Sequence, residues 1–205
     1  MPSSFAAALV AALALPGVAS PQPPRHPRPE IVERIVAVVD ERPIFLSDLH
    51  ALRSVRGLAE EQALPALVDE RLMYVEAARL PQAEVSTEEE DRALATLVET
   101  RPGLVTEVPE PDLRRLLHRQ IVILKYVEFR FRPQVRVSDE EVRKAWEEDQ
   151  AGNPAGPALE DEQETIRARL ERRALDERIE AWIAELRTRA DVRYAEVPPL
   201  APPGP

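Results

Sequence analysis

The chain contains no cysteine, and this absence excludes several kinds of chemistry at once. No disulfide can cross-link the fold, no thiolate can act as a nucleophile, and no zinc site can use cysteine ligands. Glycine is also scarce, at 6 of 205 residues. The sequence has neither a glycine-rich phosphate loop nor the Gly-x-Ser-x-Gly turn that presents a nucleophilic serine.

Histidine is rare too, with three residues in the whole chain. His26 lies in a proline-rich stretch, and His50 and His118 have no carboxylate at the helical spacing of a metal pair or a catalytic triad. The acidic clusters at 88–91 and 139–141 fall in first turns of predicted helices, where the helix dipole favours carboxylates. The sequence therefore predicts no enzyme, no metal site and no cofactor.

A basic excess is missing as well. The formal net charge is -10 and the isoelectric point is about 5.0. Proteins that follow the phosphates of nucleic acid normally carry an excess of lysine and arginine, so nucleic acid is not an expected partner. Hydrophobic residues make up 44% and charged residues 31%, a balance typical of a soluble globular protein.

Long hydrophobic runs are absent, apart from a short apolar run at residues 5–15. A membrane-spanning helix needs roughly 20 apolar residues, so we expect no stable membrane insertion. Pro16 ends the run, and the small residues Gly17-Val18-Ala19 fit a signal peptidase site, which predicts export with cleavage after Ala19. Because no lysine or arginine precedes the run, a misplaced start codon or an alanine-rich tail that is not a signal is the alternative.

Proline, in contrast, is abundant, and its 21 residues gather at chain ends and breaks. Proline removes a backbone donor and interrupts helices, so these clusters mark linkers and loops. They predict the following organisation: a signal peptide at 1–19, a Pro-rich linker at 20–30, a single domain at 31–197 (its main part at 31–150, then a returning helix and strand at 159–195) and a Pro-rich tail at 198–205.

The predicted fold class is mainly α with a small β element. Residues 31–39 are rich in β-branched side chains, 40–43 favour a turn, and 44–46 form a second short apolar run, which together predict a strand pair. Ser47 is expected to cap a helix that ends near Gly57. A short strand is predicted at 192–195, and since a two-stranded hairpin is marginal alone, this strand is expected to join the first pair.

Helical periodicity dominates the rest of the chain. Capping boxes are predicted where Ser86 precedes Glu89 and where Ser138 precedes Glu141. The segment 101–111 carries three prolines and a glycine and predicts a loop. The helices predicted from these patterns are 62–80, 87–100, 111–131, one from Ser138 through Trp146, and 159–189.

Helix 111–131 suggests two possible binding surfaces. Its apolar stripe is predicted as Leu113, Leu117, Ile121, Leu124, Val127 and Phe131. Its other face carries Arg114, Arg115 and Arg119, which would either dock an acidic partner or form an ordinary solvated face. Phe129, Phe131 and Trp146 lie around the break at Pro133 and would either border a groove that captures peptides or pack in the core.

Several segments in order resemble the SurA-type periplasmic chaperones. That family typically starts with a Val/Ala-rich strand, a polar turn, a short apolar strand and a Ser-Asp helix start. The segments that carry the resemblance are 35–49, 67–73, 85–90, 120–126, 135–142 and 182–194. The resemblance implies a chaperone domain that binds unfolded polypeptides in the periplasm without ATP, above all precursors of outer-membrane proteins.

The chain departs from that family at one place. A parvulin-type prolyl isomerase domain normally sits between the helix near Trp146 and the last helix, whereas here residues 149–159 fill that space and are far too few for a domain. Isomerase activity is therefore not expected. Two alternatives remain open: an adaptor subunit that docks one partner through the basic helix, and a degenerate relative of the prolyl isomerases.

Overall fold

The structure is a computed structural model that describes residues 33–152 and 157–195. Within those residues the fold is mainly helical with one small sheet, as predicted. The predicted signal peptide, the linker at 20–30 and the tail at 198–205 lie outside them. In chain order the elements are β1 (Ile35–Val39), β2 (Arg42–Phe45), α1 (Leu46–Arg56), α2 (Glu60–Ala77), α3 (Thr87–Thr100), α4 (Leu104–Glu107), α5 (Glu110–Arg130), α6 (Asp139–Gly152), α7 (Leu159–Arg189) and β3 (Val192–Tyr194), with 3₁₀ turns at Pro81–Ala83 and Arg132–Gln134.

The sheet joins the two ends of the described chain. Its strand order is β2-β1-β3, and β3 runs antiparallel to β1, with Val192 opposite Val39. Two further hydrogen bonds anchor the start of β3: the Asp40 N–H donates to the Asp191 carbonyl at 3.0 Å, and the Asp191 N–H donates to Asp40 Oδ1 at 2.9 Å. The prediction that the last strand joins the first pair is confirmed.

The hairpin turn is tighter than predicted. Only Asp40 and Glu41 form it, with φ angles of 46° and 66°, and Arg42 and Pro43 already belong to β2. Two successive residues with positive φ give the turn type whose twist matches that of paired strands. Neither residue is glycine, so this turn holds two side chains in the left-handed region that L-residues rarely adopt.

Helix α1 begins differently from the prediction. It starts at Leu46, so Ser47 lies inside its first turn, and the Ser47 hydroxyl is buried without a hydrogen-bond partner. The carboxylate of Glu33 does the capping from outside the helix, since Oε1 accepts the Ser47 N–H at 3.3 Å. The end of α1 is as predicted, because Gly57 adopts the left-handed conformation with φ of 64°.

Both predicted capping boxes are present. Ser86 Oγ accepts the Glu89 N–H at 3.3 Å, and Glu89 Oε2 accepts the Ser86 N–H at 2.9 Å. Ser138 and Glu141 repeat this exchange at 3.3 and 2.8 Å. Each box satisfies two backbone donors that have no partner within the helix, and α3 accordingly occupies its predicted bounds.

The predicted loop at 101–111 is partly wrong, because it contains the short helix α4. Leu104 and Val108 are buried at the two ends of this turn, and the Val108 N–H donates to the Leu104 carbonyl at 2.9 Å. The local prolines and glycine favour a loop, but burial of these two side chains stabilises one helical turn.

The core lies where α1, α2 and α5 meet the sheet. Its largest fully buried apolar side chains include Ile44 of β2, Leu52 of α1, Leu67 of α2 and Leu113 of α5. Helix α7 packs against α6 and against α2, and Trp182 near its end enters the core. No helix among the described residues is both long and apolar enough to cross a membrane.

Candidate functional site

Helix α5 carries most of the candidate site, and its buried face differs from the predicted stripe. Leu113, Leu117 and Val127 are buried as predicted, but the side chain of Leu124 is 58% exposed, and Val122 is buried instead. The reason is that α5 contacts α1, α2 and α3 as well as the turn at 81–83. A helix covered on several sides has no single buried stripe, and part of its apolar side remains in solvent.

Arg119 does not lie on the surface that partner docking would need. Its side chain is buried, with 5% of the residue exposed, and it pairs with two carboxylates that are also buried. Arg119 Nε lies 2.8 Å from Glu70 Oε1, and Arg119 Nη1 lies 3.1 Å from Asp48 Oδ1. The ion pairs therefore bind α5 to α1 and α2 in the interior.

A fourth charged residue completes this buried ion cluster. Arg71 Nη2 lies 3.1 Å from Asp48 Oδ2, so two carboxylates, of Asp48 and Glu70, face two guanidinium groups, of Arg71 and Arg119. Burial lowers the pKa of Arg71, and the neighbouring positive charge of Arg119 adds to the effect. An arginine nevertheless stays protonated in a protein, so the cluster is electrically neutral.

The other two predicted docking residues are at the surface and already paired. Arg114 contacts Asp91 Oδ1 and Glu110 Oε1, each at 2.7 Å, and these hydrogen bonds raise the pKa of Arg114. Arg115 pairs with Asp112 one turn earlier in α5. The basic face predicted for this helix is thus largely neutralised by carboxylates of α3 and of α5 itself.

The structure does not bring the three predicted client-binding aromatics together. Phe131 packs into a ring cluster with Tyr126 and Trp182, at centroid distances of 5.9 and 5.3 Å. Phe129 is 54% exposed. Trp146 donates its indole N–H to the Pro157 carbonyl at 3.1 Å, in the connection between α6 and α7. Of the three, Phe129 offers the most open apolar surface.

A groove that the sequence patterns did not reveal lies beside α5. We call it the α2–α5 groove, since it runs between the end of α2, the 81–83 turn and α5. Its volume is about 490 Å³. The residues that line it are Tyr74, Ala78, Leu80, Pro81, Ala83, Glu84, Val85, His118 and Val122. Within the described chain, these residues come from the end of α2, the segment 80–85 and α5, which is why no local motif marks the groove.

His118 lies on the wall of this groove and has a carboxylate partner after all. Its Nδ1 is 2.7 Å from Glu90 Oε1, and its ring packs edge-on against Tyr74 at a centroid distance of 6.0 Å. Glu90 belongs to α3, 28 residues earlier, so a search at helical spacing could not find the pair. The contact fixes the ring orientation at the groove.

The rim next to α3 is acidic. Lys125 lies between the Glu84 carbonyl and Glu89 Oε2, which it contacts at 2.7 Å. The hydrogen bond from Lys125 lowers the pKa of Glu89, and the Ser86 N–H lowers it further. The groove thus combines apolar walls with carboxylates, a composition suited to binding a polypeptide segment. Among the described residues, no group of three or more His, Asp or Glu side chains is placed to hold a metal ion.

Comparisons with known proteins define the fold class. No family model matches the sequence, and no curated protein matches it. The structure is similar to a solved chain of PEB4 or Cj1289, a virulence factor and a periplasmic protein described as structurally related SurA-like chaperones in the human pathogen Campylobacter jejuni. The match has a TM-score of 0.53 at 12% identity and covers 80% of this chain and 99% of that chain. The chain therefore has a fold like that of a SurA-like chaperone.

Proposed function

We propose that this protein is an ATP-independent chaperone of the periplasm that holds unfolded exported polypeptides, chiefly precursors of outer-membrane proteins. In this proposal residues 31–197 act as one chaperone domain, exported by the signal peptide at 1–19. The likeness in fold to a SurA-like chaperone supports it. The observation that carries it is the apolar surface on α5, where the large side chains of Leu124 and Phe129 stay in solvent.

Exposed apolar side chains on a charged protein suit a holdase. Isolated apolar side chains are normal on any surface, but two large ones exposed on the same helix offer an unfolded chain several weak contacts. An unfolded client loses much conformational freedom on binding, so the net affinity stays modest and release needs no nucleotide. The net charge of -10 keeps the chaperone itself from associating through the same surface.

The competing functions have less support. An adaptor that docks through the basic face would use Arg114, Arg115 and Arg119, of which one is buried and two are paired within the protein. An isomerase would need a catalytic domain, yet six residues, 153–158, separate α6 from α7. We therefore expect no prolyl isomerase activity on a short peptide.

An aggregation assay tests the proposal. An unfolded outer-membrane protein is diluted from urea, and light scattering is followed with and without an equimolar amount of the chain from residue 20 onward, in the absence of nucleotide. We expect strong suppression of scattering by the unaltered protein. The variant Leu124→Ser/Phe129→Ser is expected to suppress several-fold less, because the proposed contact surface is lost while the core is unchanged.

Val105→Ser provides a matched control, since Val105 is an exposed apolar residue of α4 and not of α5. It is expected to suppress aggregation as well as the unaltered protein, and circular dichroism checks that all variants are folded. Failure of the unaltered protein to slow aggregation at equimolar amounts would refute the proposed function. If the Leu124→Ser/Phe129→Ser variant suppresses aggregation equally well, clients do not bind at these two side chains of α5.

A further inference from the structure

We propose that the α2–α5 groove is a client subsite that prefers apolar segments flanked by lysine or arginine over the same segments flanked by acidic residues. This inference rests on the proposed chaperone function and adds a substrate preference to it. It is carried by the shape of the groove, its apolar lining and the sign of the charge at its rim.

The floor of the groove is built from small side chains. Ala83 and Val122 line it, and with Ala77 they form a buried apolar cluster distinct from the main core. The two alanines that line the groove, Ala78 and Ala83, fill little space, and a cleft of about 490 Å³ remains open beside them. Clefts of about 300–1,000 Å³ are typical of small-ligand sites, and this one has room for several side chains of an extended peptide.

Most of the residues that line the walls are apolar, but polar atoms provide more of the exposed surface of the groove than apolar atoms do. Tyr74, Leu80 and Val85 stand around the floor, each half-buried and each in contact with the small cluster. Such side chains lose the remainder of their exposed apolar surface when a peptide covers them. Pro81 lies at the entrance and donates no backbone hydrogen bond there. The lining therefore offers contacts to the apolar side chains of a peptide and polar atoms to its backbone.

The charge at the rim selects what flanks that segment. The basic side chains near the groove already have carboxylate partners: Lys125 pairs with Glu89, Arg79 pairs with Glu76, and the His118 ring contacts Glu90. Glu84 is the carboxylate that lines the groove, and it forms no ion pair within the described residues.

The expected preference can be expressed as a ratio of affinities. An exposed pair of opposite charges changes a binding constant by about 1.5-fold to 5-fold. One lysine that meets the free carboxylate of Glu84 would then favour a basic peptide by about 1.5-fold to 5-fold at low salt. Salt screens such pairs, so the preference is expected to shrink as ionic strength rises.

Fluorescence anisotropy with two labelled peptides tests the inference. Both peptides contain the same apolar stretch, and one carries flanking lysines while the other carries flanking glutamates. The unaltered protein is expected to bind the lysine peptide more tightly, by the ratio given above. The variant Glu84→Lys is expected to abolish or reverse this preference, because the Glu84 side chain is exposed and unpaired while its carbonyl still accepts from Lys125.

A second variant fills the groove without touching the core. Ala78 is exposed at the end of α2 and lines the groove, so Ala78→Trp is expected to weaken the binding of both peptides. Ala59→Trp is the matched control, since Ala59 is exposed at the opposite end of the same helix, and it is expected to bind like the unaltered protein.

The inference is overturned if the two peptides bind equally well at low salt, or if Ala78→Trp binds like Ala59→Trp. Binding that is seen only after removal of residues 196–205 would show that the chain's own tail occupies the groove, which also overturns it. The aggregation assay separates the two proposals. If Ala78→Trp binds the peptides as well as Ala59→Trp does, and the unaltered protein still suppresses aggregation, the groove assignment fails and the chaperone function stands.

Discussion

Replacing Arg119 with methionine is expected to destabilise the protein by about 3–5 kcal/mol, because it leaves buried carboxylates without a counter-charge. Glu70 is fully buried and Asp48 is 4% exposed. Both contact Arg119 at or below 3.1 Å, whereas Arg71 contacts Asp48 alone. After the substitution two buried carboxylates share one guanidinium, and the cluster carries a net negative charge in the interior.

The expected loss of free energy is large compared with the total stability of a domain of this size. Net stabilities are about 5–15 kcal/mol, so the substitution removes about a fifth or more of the total. At about 2–4 °C per kcal/mol for chains of 150–250 residues, the midpoint of thermal unfolding should fall by about 6–20 °C. Methionine keeps the apolar stem of the arginine, so a loss of packing contributes little to this change.

A double variant distinguishes electrostatics from packing. In Glu70→Met/Arg119→Met one acid and one base are removed together, and the Asp48–Arg71 pair remains neutral. Replacing a buried pair with apolar residues is often close to neutral, so this variant should be more stable than Arg119→Met alone. The matched surface control is Arg114→Met, which breaks exposed pairs and should cost at most about 1 kcal/mol.

Urea unfolding at pH 7, followed by far-ultraviolet circular dichroism, measures these three variants and the single variant Glu70→Met. The reasoning is refuted if Arg119→Met costs less than about 1 kcal/mol, the range of an exposed pair. It is also refuted if the double variant is as unstable as the sum of its two single variants, since residues in one ion network should couple strongly.

Two further predictions concern the ring cluster and the rim of the α2–α5 groove. Trp182→Ala should lower the free energy of unfolding in urea by about 3–5 kcal/mol, because the ring is buried and stacked on Tyr126 at 4.9 Å. Trp146→Ala, at a half-exposed site, should cost clearly less. Equal losses in the two variants would contradict this prediction. The folded-state pKa of Glu89 lies below its ordinary 4.5, so its charged form stabilises the fold above that pH, and this stabilisation is lost as the pH falls through the lowered value. Glu89→Gln should therefore lose less stability than the unaltered protein between pH 6 and pH 3, and an identical loss in both would show that the Glu89–Lys125 contact is not coupled to folding.

Local signals predicted the elements whose ends are set by local chemistry. Helix α3 begins at the Ser86 capping box, α7 spans its predicted 159–189, and α1 ends at Gly57. In each case, the residues that decide the boundary lie within a few positions of it. The pairing of β3 with β1 was also predictable, because an isolated hairpin needs a third strand.

The predictions failed where distant residues decide the outcome. Ser47 has the side chain of a helix cap, but Glu33 takes that role and the Ser47 hydroxyl is buried inside the first turn. Arg119 has the helical spacing that places it with Arg114 and Arg115 on a solvated face. Its carboxylate partners, Asp48 and Glu70, lie 71 and 49 residues earlier in the chain. A periodic pattern shows which side chains share a face, but it does not show what covers that face.

The sequence by itself determined the helical class of the protein, most helix bounds, the capping boxes and the lack of cysteine chemistry, because each depends on residue type and short spacing. The tertiary structure decided which side of α5 is buried, which charges are neutralised inside, and that His118 meets Glu90 at an open groove. The physical reason is that burial and electrostatic energies depend on neighbours in space. For the α2–α5 groove those neighbours come from separate elements, brought together only when the chain folds.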